Sequence, residues 1–290
     1  MSRQNGSGHA LFAGLIDDAA VFPPGSATLV HALDVHRTLR QSAAADYVGP
    51  LLVPAAAVPA LIELVGDPDQ TLTIGVIGTA GDEAGLLRAV ALADGSALSI
   101  SGVEIALGSS VVGELLRALD ALLRQDIPLA VEVSRAGSAS LTALGAHRSL
   151  VTSGLLRGKY RTGGVQPDAV PSADALAAVI RTAVDAELPM KFTAGLHHAV
   201  RTTDQHGVLN VMSAVHDAIT GGWPASRLEL GDPVELTGEV TTWTEQQVAE
   251  IRSVFTGFGC CGVLEPLIEA GRLGVLPPIA HEETTAVADR

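Results

Sequence analysis

Lysine is almost missing from this chain of 290 residues: of its 18 basic side chains 16 are arginine, and the two lysines are Lys159 and Lys191. Aromatic residues are also few, at 3% of the chain against 47% hydrophobic residues, so any core is aliphatic. A core of Ala, Val, Leu and Ile is what parallel strands buried under helices require. Basic charge is short as well. Against 18 Lys and Arg stand 32 Asp and Glu, a net charge of −14. That balance repels nucleic acid and anionic membranes and leaves no basic stripe to follow a phosphate backbone. No uninterrupted apolar run reaches the ~20 residues of a membrane span, and the opening "MSRQNGSGHALFAGLIDD" lacks the apolar stretch of a signal peptide. The expectation is a cytoplasmic protein with neither nucleic acid nor membrane as partner. Cysteine is limited to the neighbours Cys260 and Cys261. Adjacent cysteines cannot clip distant segments together, and no Cys or His pair stands at zinc spacing, so they read as small apolar fillers of a glycine-rich turn.

What the chain does have is alternation. Short β-branched runs recur at 11–22, 46–55, 71–80, 98–107, 127–134, 158–164, 189–198 and 227–233. Between them lie segments such as "SSVVGELLRALDALLRQD" and "SADALAAVIRTAVDAE", whose apolar residues repeat at i, i+3, i+4 and i+7. Eight strand-helix units in this length predict a (β/α)8 TIM barrel, parallel and eight-stranded, as one domain over 9–279 with extra C-terminal helices. Polar ends at 1–8 and 280–290 are expected to be loose. An open doubly wound sheet would show a glycine-rich phosphate turn after its first strand, where this chain has "LIDDAAVFPPG".

Strand side chains alternate faces, so each predicted strand can be split into an inward and an outward set. On the sixth, Lys159 and Arg161 point the same way; on the seventh, Lys191, Thr193, Gly195 and His197 do. Glu104 on the fourth strand and Glu132 on the fifth are each the single charge in an apolar run. Four successive strands thus present opposite charges to one interior. A buried ammonium can lose its proton and act as nucleophile or base, which a guanidinium cannot, and a like charge nearby assists. The competing reading is that each lysine neutralises a glutamate, although a buried ion pair adds little net stability.

In order and spacing, "GKYRTGG" and "KFTAGLHH" resemble the paired lysine segments of the class I aldolases of the deoxyribose-phosphate aldolase group. The resemblance implies that Lys159 forms the Schiff base and that Lys191 is its electrostatic partner. It covers about 45 residues and stops at the phosphate site, where "GLHHAVR" replaces a glycine turn and "LELGDP" offers no Gly-Ser cradle. Through "GLIDDAAVFPPG", "KYRTGG", "KFTAGLHHAVR" and "GFGCCGVLEP", most of the chain also resembles a family of bacterial barrels, a likeness that brings no function with it.

The expected activity is therefore a lyase of class I aldolase or dehydratase type, acting on a small carbonyl or oxo-acid and using no cofactor. Lys159, Lys191, Glu104, Glu132 and His197 are the candidate catalytic residues. Arg161, Thr162, Gly163, Thr193, His198, Arg201 and Asp17 are the candidate substrate-binding residues, with Arg161 and Arg201 able to clamp a carboxylate. Asp17 and Asp18 stand at the end of the first strand, where either can face the mouth or cap a turn. Two alternatives remain at this stage: a metal-dependent lyase or isomerase using one histidine with Glu104, Glu132 and Asp17 or Asp18, and a non-catalytic binding barrel. His206, His216 and His281 read as surface residues, and "DPVELTGEV" and "TWTEQQ" read as loop and helix-start chemistry, with Thr244 as a helix N-cap. A homo-oligomer is compatible with all of this.

Overall fold

In the computed structural model, which describes residues 5–66, 71–148, 155–166 and 168–279, eight parallel strands hydrogen-bond in chain order and the last closes on the first. They are β1 Ile16–Asp18, β2 Val48–Pro54, β3 Leu72–Ile77, β4 Leu98–Ala106, β5 Leu129–Glu132, β6 Leu156–Arg161, β7 Met190–Thr193 and β8 Phe255–Cys260. The protein is a (β/α)8 barrel, with helices in each crossover and four of them between β7 and β8. Among the described residues no helix is long and apolar enough to cross a membrane.

Local sequence explains five of the helix starts. Thr28, Asp82, Ser172 and Asp232 each accept a backbone N–H at the first turns of Leu29–Leu39, Glu83–Ala93, Ala173–Asp185 and Pro233–Val240, which satisfies donors a helix leaves unpaired. Thr244 does the same for Glu245–Val254 in a reciprocal capping box with Gln247. The outer faces of the strands bury Ile74, Val131, Tyr160, Phe192 and Phe258 under these helices, with Phe192 and Phe255 edge to face at 5.0 Å. As the composition requires, the rest of the core is mostly aliphatic, with Phe12, Tyr47 and Trp243 as further rings.

Two local expectations change. The eighth strand is not 227–233 but Phe255–Cys260, and "TGFGCCG" is strand where a turn was expected. The run "RLELGDP" instead spans the end of a helix, Ala225–Glu229, and the Asp232 cap of the next. Its alternating Leu residues mimic a strand, but Asp232 and Pro233 commit the backbone to helix initiation, and the helix-start chemistry of "DPVELTGEV" opens the helix Pro233–Val240. At the N-terminus a helix, Asn5–Phe12, starts inside the segment expected to be loose. Gly8 lies against the Val275 carbonyl, where a Cβ would fall 1.9 Å from the oxygen. Residues 1–4 and the expected tail at 280–290 lie outside the described residues.

Candidate active site

Strand register sets the site. Ala106 pairs with Glu132, Glu132 with Lys159, Lys159 with Lys191, and Lys191 with Gly257, so one row of the barrel wall carries Glu132, Lys159 and Lys191 side by side on β5, β6 and β7. Glu104 stands two residues before Ala106 on β4, and Asp17 pairs with Gly259 on the far side. All five are turned into the barrel.

There they form a chain of alternating charge: Asp17, Lys191, Glu104, Lys159, Glu132, Arg161. Lys191 donates to both Asp17 and Glu104. Lys159 Nζ lies 2.6 Å from Glu104 Oε2 and 2.9 Å from Glu132 Oε2, and Arg161 lies 3.8 Å from Glu132 Oε1. Glu104 is therefore the carboxylate that both amines share, one oxygen each. Its Oε2 contact with Lys159 is a close ion pair without hydrogen-bond alignment. Glu104, Lys159 and Lys191 are 3%, 4% and 5% exposed, too little for water to screen their charges.

Burial alone would raise the Glu104 carboxyl, but the two ammonium groups outweigh it and hold it at about 2. Burial alone would lower Lys191; Asp17 and Glu104 together reverse this and lift it above the ordinary lysine range. The two partners Asp17 and Lys191 respond differently. Burial raises the Asp17 carboxyl above its usual range, against the pull of Lys191, because Asp17 has one close cation while Glu104 repels it. Lys191 has two carboxylates and stays charged.

Two cavities meet this chain from opposite ends of the barrel. At the C-terminal ends of the strands, a cavity of about 300 Å³ is lined by Lys159, Glu132, Arg161, Thr193, His197 and Cys261, among others. It has Phe22, Pro23 and Pro24 of the β1 loop on its wall. At the N-terminal ends a second cavity, about 280 Å³, is lined by Asp17, Glu104, Lys191 and Arg157 where Gly75, Gly102 and Gly257 leave the lower barrel unfilled. The amines thus converge on one carboxylate but open to different ends: Lys159 to the mouth, where barrel enzymes place their chemistry, and Lys191 to the floor.

The other candidates divide. Arg161 is half exposed at the rim, and a cleft of about 360 Å³ beside it is lined by Arg135, Arg161, Gly163 and Gln166. Thr193 faces the mouth, whereas Thr162 is buried with its hydroxyl donating to the Thr193 carbonyl. Gly163 is packed on the β7 loop, where a Cβ would fall 2.2 Å from the Ala194 carbonyl oxygen. His198 pairs with Glu269 at 2.8 Å and Arg201 donates to the carbonyls of Thr202 and Glu229; neither lines the mouth cavity. Asp18 is buried in a pair with His36 at 3.0 Å, so of the two aspartates it is Asp17 that joins the charge chain. Among the described residues no three of His, Cys, Asp and Glu are grouped to hold a metal ion, so the metal-dependent alternative finds no ligand set there.

Other positions were missed. His206 is buried, its Nε2 against the Pro171 carbonyl at 2.8 Å, and is not a surface residue. Cys260 and Cys261 are the end of β8 and the residue after it, with His197 between their sulfurs at 3.6 and 3.8 Å. Glu265, unremarked in the sequence, holds His197 Nδ1 at 2.6 Å. Hydrogen bonding to Cys260, Cys261 and Glu265 pushes His197 up to about 12. The ring is delivered by a strained loop: Ala194 and Leu196, on either side of Gly195, both hold left-handed backbone, φ 60° and 62°, a conformation non-glycine residues adopt uncommonly. The signal for this cluster was available in "FGCCGVLEP", and was lost when the eighth strand was placed too early. Comparison with known proteins gives no match, either to a family model or to a protein of curated function.

Proposed function

We propose that this barrel is an enzyme acting on a small carbonyl or oxo-acid, a lyase of aldolase or dehydratase type, through a Schiff base on Lys159. One observation carries the reading: of the chain's two amines, Lys159 opens to the C-terminal mouth, while Lys191 is locked between Asp17 and Glu104 as a permanent cation. The resemblance to the deoxyribose-phosphate aldolase group assigns the same two roles in the same order.

Each step has a residue within reach. Lys159 hands a proton to Glu132, the carboxylate that edges the mouth, its lone pair adds to the substrate carbonyl carbon, and a proton passes from the nitrogen to the new alkoxide oxygen. The resulting hydroxyl leaves as water with a proton from His197, which lines the same cavity and holds its proton at neutral pH. Lys191 and Glu104 do not touch the substrate. They fix the charge beneath Lys159. Arg161, at the rim beside a cleft that also holds Arg135, takes the carboxylate of an oxo-acid. A purely structural role for five interior charges is the weaker account, because an apolar layer would fill a barrel core at least as stably.

The test is borohydride reduction of the protein with a panel of small aldehydes, ketones and oxo-acids, followed by peptide mass spectrometry. A reduced adduct on Lys159 and none on Lys191 is expected. No adduct across the panel, or an adduct on Lys191, overturns the reading.

A further inference from the structure

Cys261 lines the same mouth, with Cys260 buried next to it, and the Schiff-base chemistry leaves both unused. They are not equivalent. Cys260 is 1% exposed, its sulfur lies 3.4 Å from the Gly262 carbonyl oxygen, and burial pushes its thiol up. Cys261 is partly exposed and lines the cavity beside Lys159.

Around Cys261 the contacts fall in a definite order: Cys261 Sγ to His197 Nε2 at 3.8 Å, then His197 Nδ1 to Glu265 Oε2 at 2.6 Å. A carboxylate on Nδ1 fixes that nitrogen as the N–H donor and turns Nε2 toward the sulfur, the relation of nucleophile, base and orienting acid that activates thiols and hydroxyls. Gly262 makes this possible. A Cβ there would lie 2.5 Å from the Glu265 carboxylate, so only glycine lets Glu265 fold back over the start of its helix, Leu264–Arg272, to reach the ring.

We infer that Cys261, His197 and Glu265 form a second reactive centre, a nucleophilic thiol that adds to an electrophilic carbonyl carbon entering the mouth. Sγ and Nε2 face each other across one exchangeable proton. A sulfur lone pair forms the C–S bond, the carbonyl π pair moves to oxygen, and that oxygen takes the proton from Nε2. The product is a hemithioacetal, formed without an oxidant or other co-reactant. The inference shares His197 and the mouth with the imine reading but does not use Lys159, so an adduct on Lys159 and the alkylation rate of Cys261 report on the two separately.

Iodoacetamide alkylation of the full chain at pH 7, resolved by fragment-ion mass spectrometry, tests it. Cys261 is expected to react at least ~10-fold faster than glutathione under the same conditions, with Cys260 unlabelled, and acetaldehyde is expected to protect Cys261 reversibly. Glu265→Gln removes the orienting charge and Gly262→Ala displaces it; each should slow Cys261 at least ~5-fold. If one variant fails to fold by circular dichroism, the other decides. A Cys261 rate at or below that of glutathione, a rate unmoved in the folded variants, label on Cys260, or no protection by acetaldehyde overturns the inference.

Discussion

Glu104→Gln removes the one charge on which both amines lean, and its effect can be worked out. In the folded protein the carboxyl titrates at about 2 instead of its ordinary 4.5. At ~1.36 kcal/mol per pH unit that difference is about 3 kcal/mol of stability, at the lower end of the ~3–5 kcal/mol expected when one partner of a buried ion pair is deleted. With an unfolding entropy of ~2.1 cal/mol/K per residue, a chain of 290 residues should melt about 5 °C lower. The sign follows from the direction of the shift: a carboxyl held low in the folded state stabilises above pH 4.5, and the benefit disappears as pH falls toward 2. Asp17, whose carboxyl is raised in part by Glu104, slopes the other way, and more weakly once Glu104 is gone, so the gap between the two proteins reports Glu104 together with its effect on Asp17. Thermal melts by circular dichroism from pH 7 to pH 2 should show a gap of about 5 °C that closes with acid. A variant melting within ~1 °C of the parent at pH 7, or a gap undiminished at pH 2, would refute the reasoning.

Further outcomes follow from the same contacts. Lys191→Met strands Asp17 and Glu104 without their shared cation and should lower stability by ~3–5 kcal/mol in urea unfolding, whereas Lys159→Arg keeps a cation against Glu104 and Glu132, should lose less, and should give no borohydride-trapped adduct. Gly49→Ala places a Cβ 2.1 Å from Asp17 Oδ1 and should detach Asp17 from Lys191, read as a fall in the Lys191 titration midpoint by NMR. His36→Ala leaves Asp18 buried without its ring partner; we expect a loss of about 3 kcal/mol with trapping at Lys159 unchanged, since that pair is separate from the charge chain.

Seven of the eight strands and the inward row of charges were legible because parallel strands covered by helices read as short apolar, β-branched runs, and because a charge in such a run, such as Glu104 in "SGVEIAL", has only the interior to turn to. That Arg201 and His198 turn away from the mouth was not legible, since the loop after β7 takes its course from left-handed residues at Ala194 and Leu196 that no propensity predicts. The eighth strand was misplaced because "RLELGDP" alternates like a strand while "VFTGFGCC", half glycine and cysteine, does not look like one. Its glycines are there for close approach: Gly259 leaves 3.2 Å between a would-be Cβ and Leu52, and 3.3 Å to Thr193. With that strand went the order Cys261, His197, Glu265, which joins residues more than 60 positions apart. The division of the two lysines between mouth and floor was hidden for another reason. They share a register row, and only the fill of the barrel below them separates their openings.

A chain with two lysines permits one direct measurement. With 15N placed at lysine Nζ, the folded protein has two side-chain amine signals, assignable by Lys159→Arg. Adding a carbonyl compound that is trapped by borohydride should move the Lys159 signal alone into the imine range, while Lys191 stays an ammonium beyond the pH at which a free lysine loses its proton. Two unshifted signals in the presence of such a compound, or an imine at Lys191, would contradict the account.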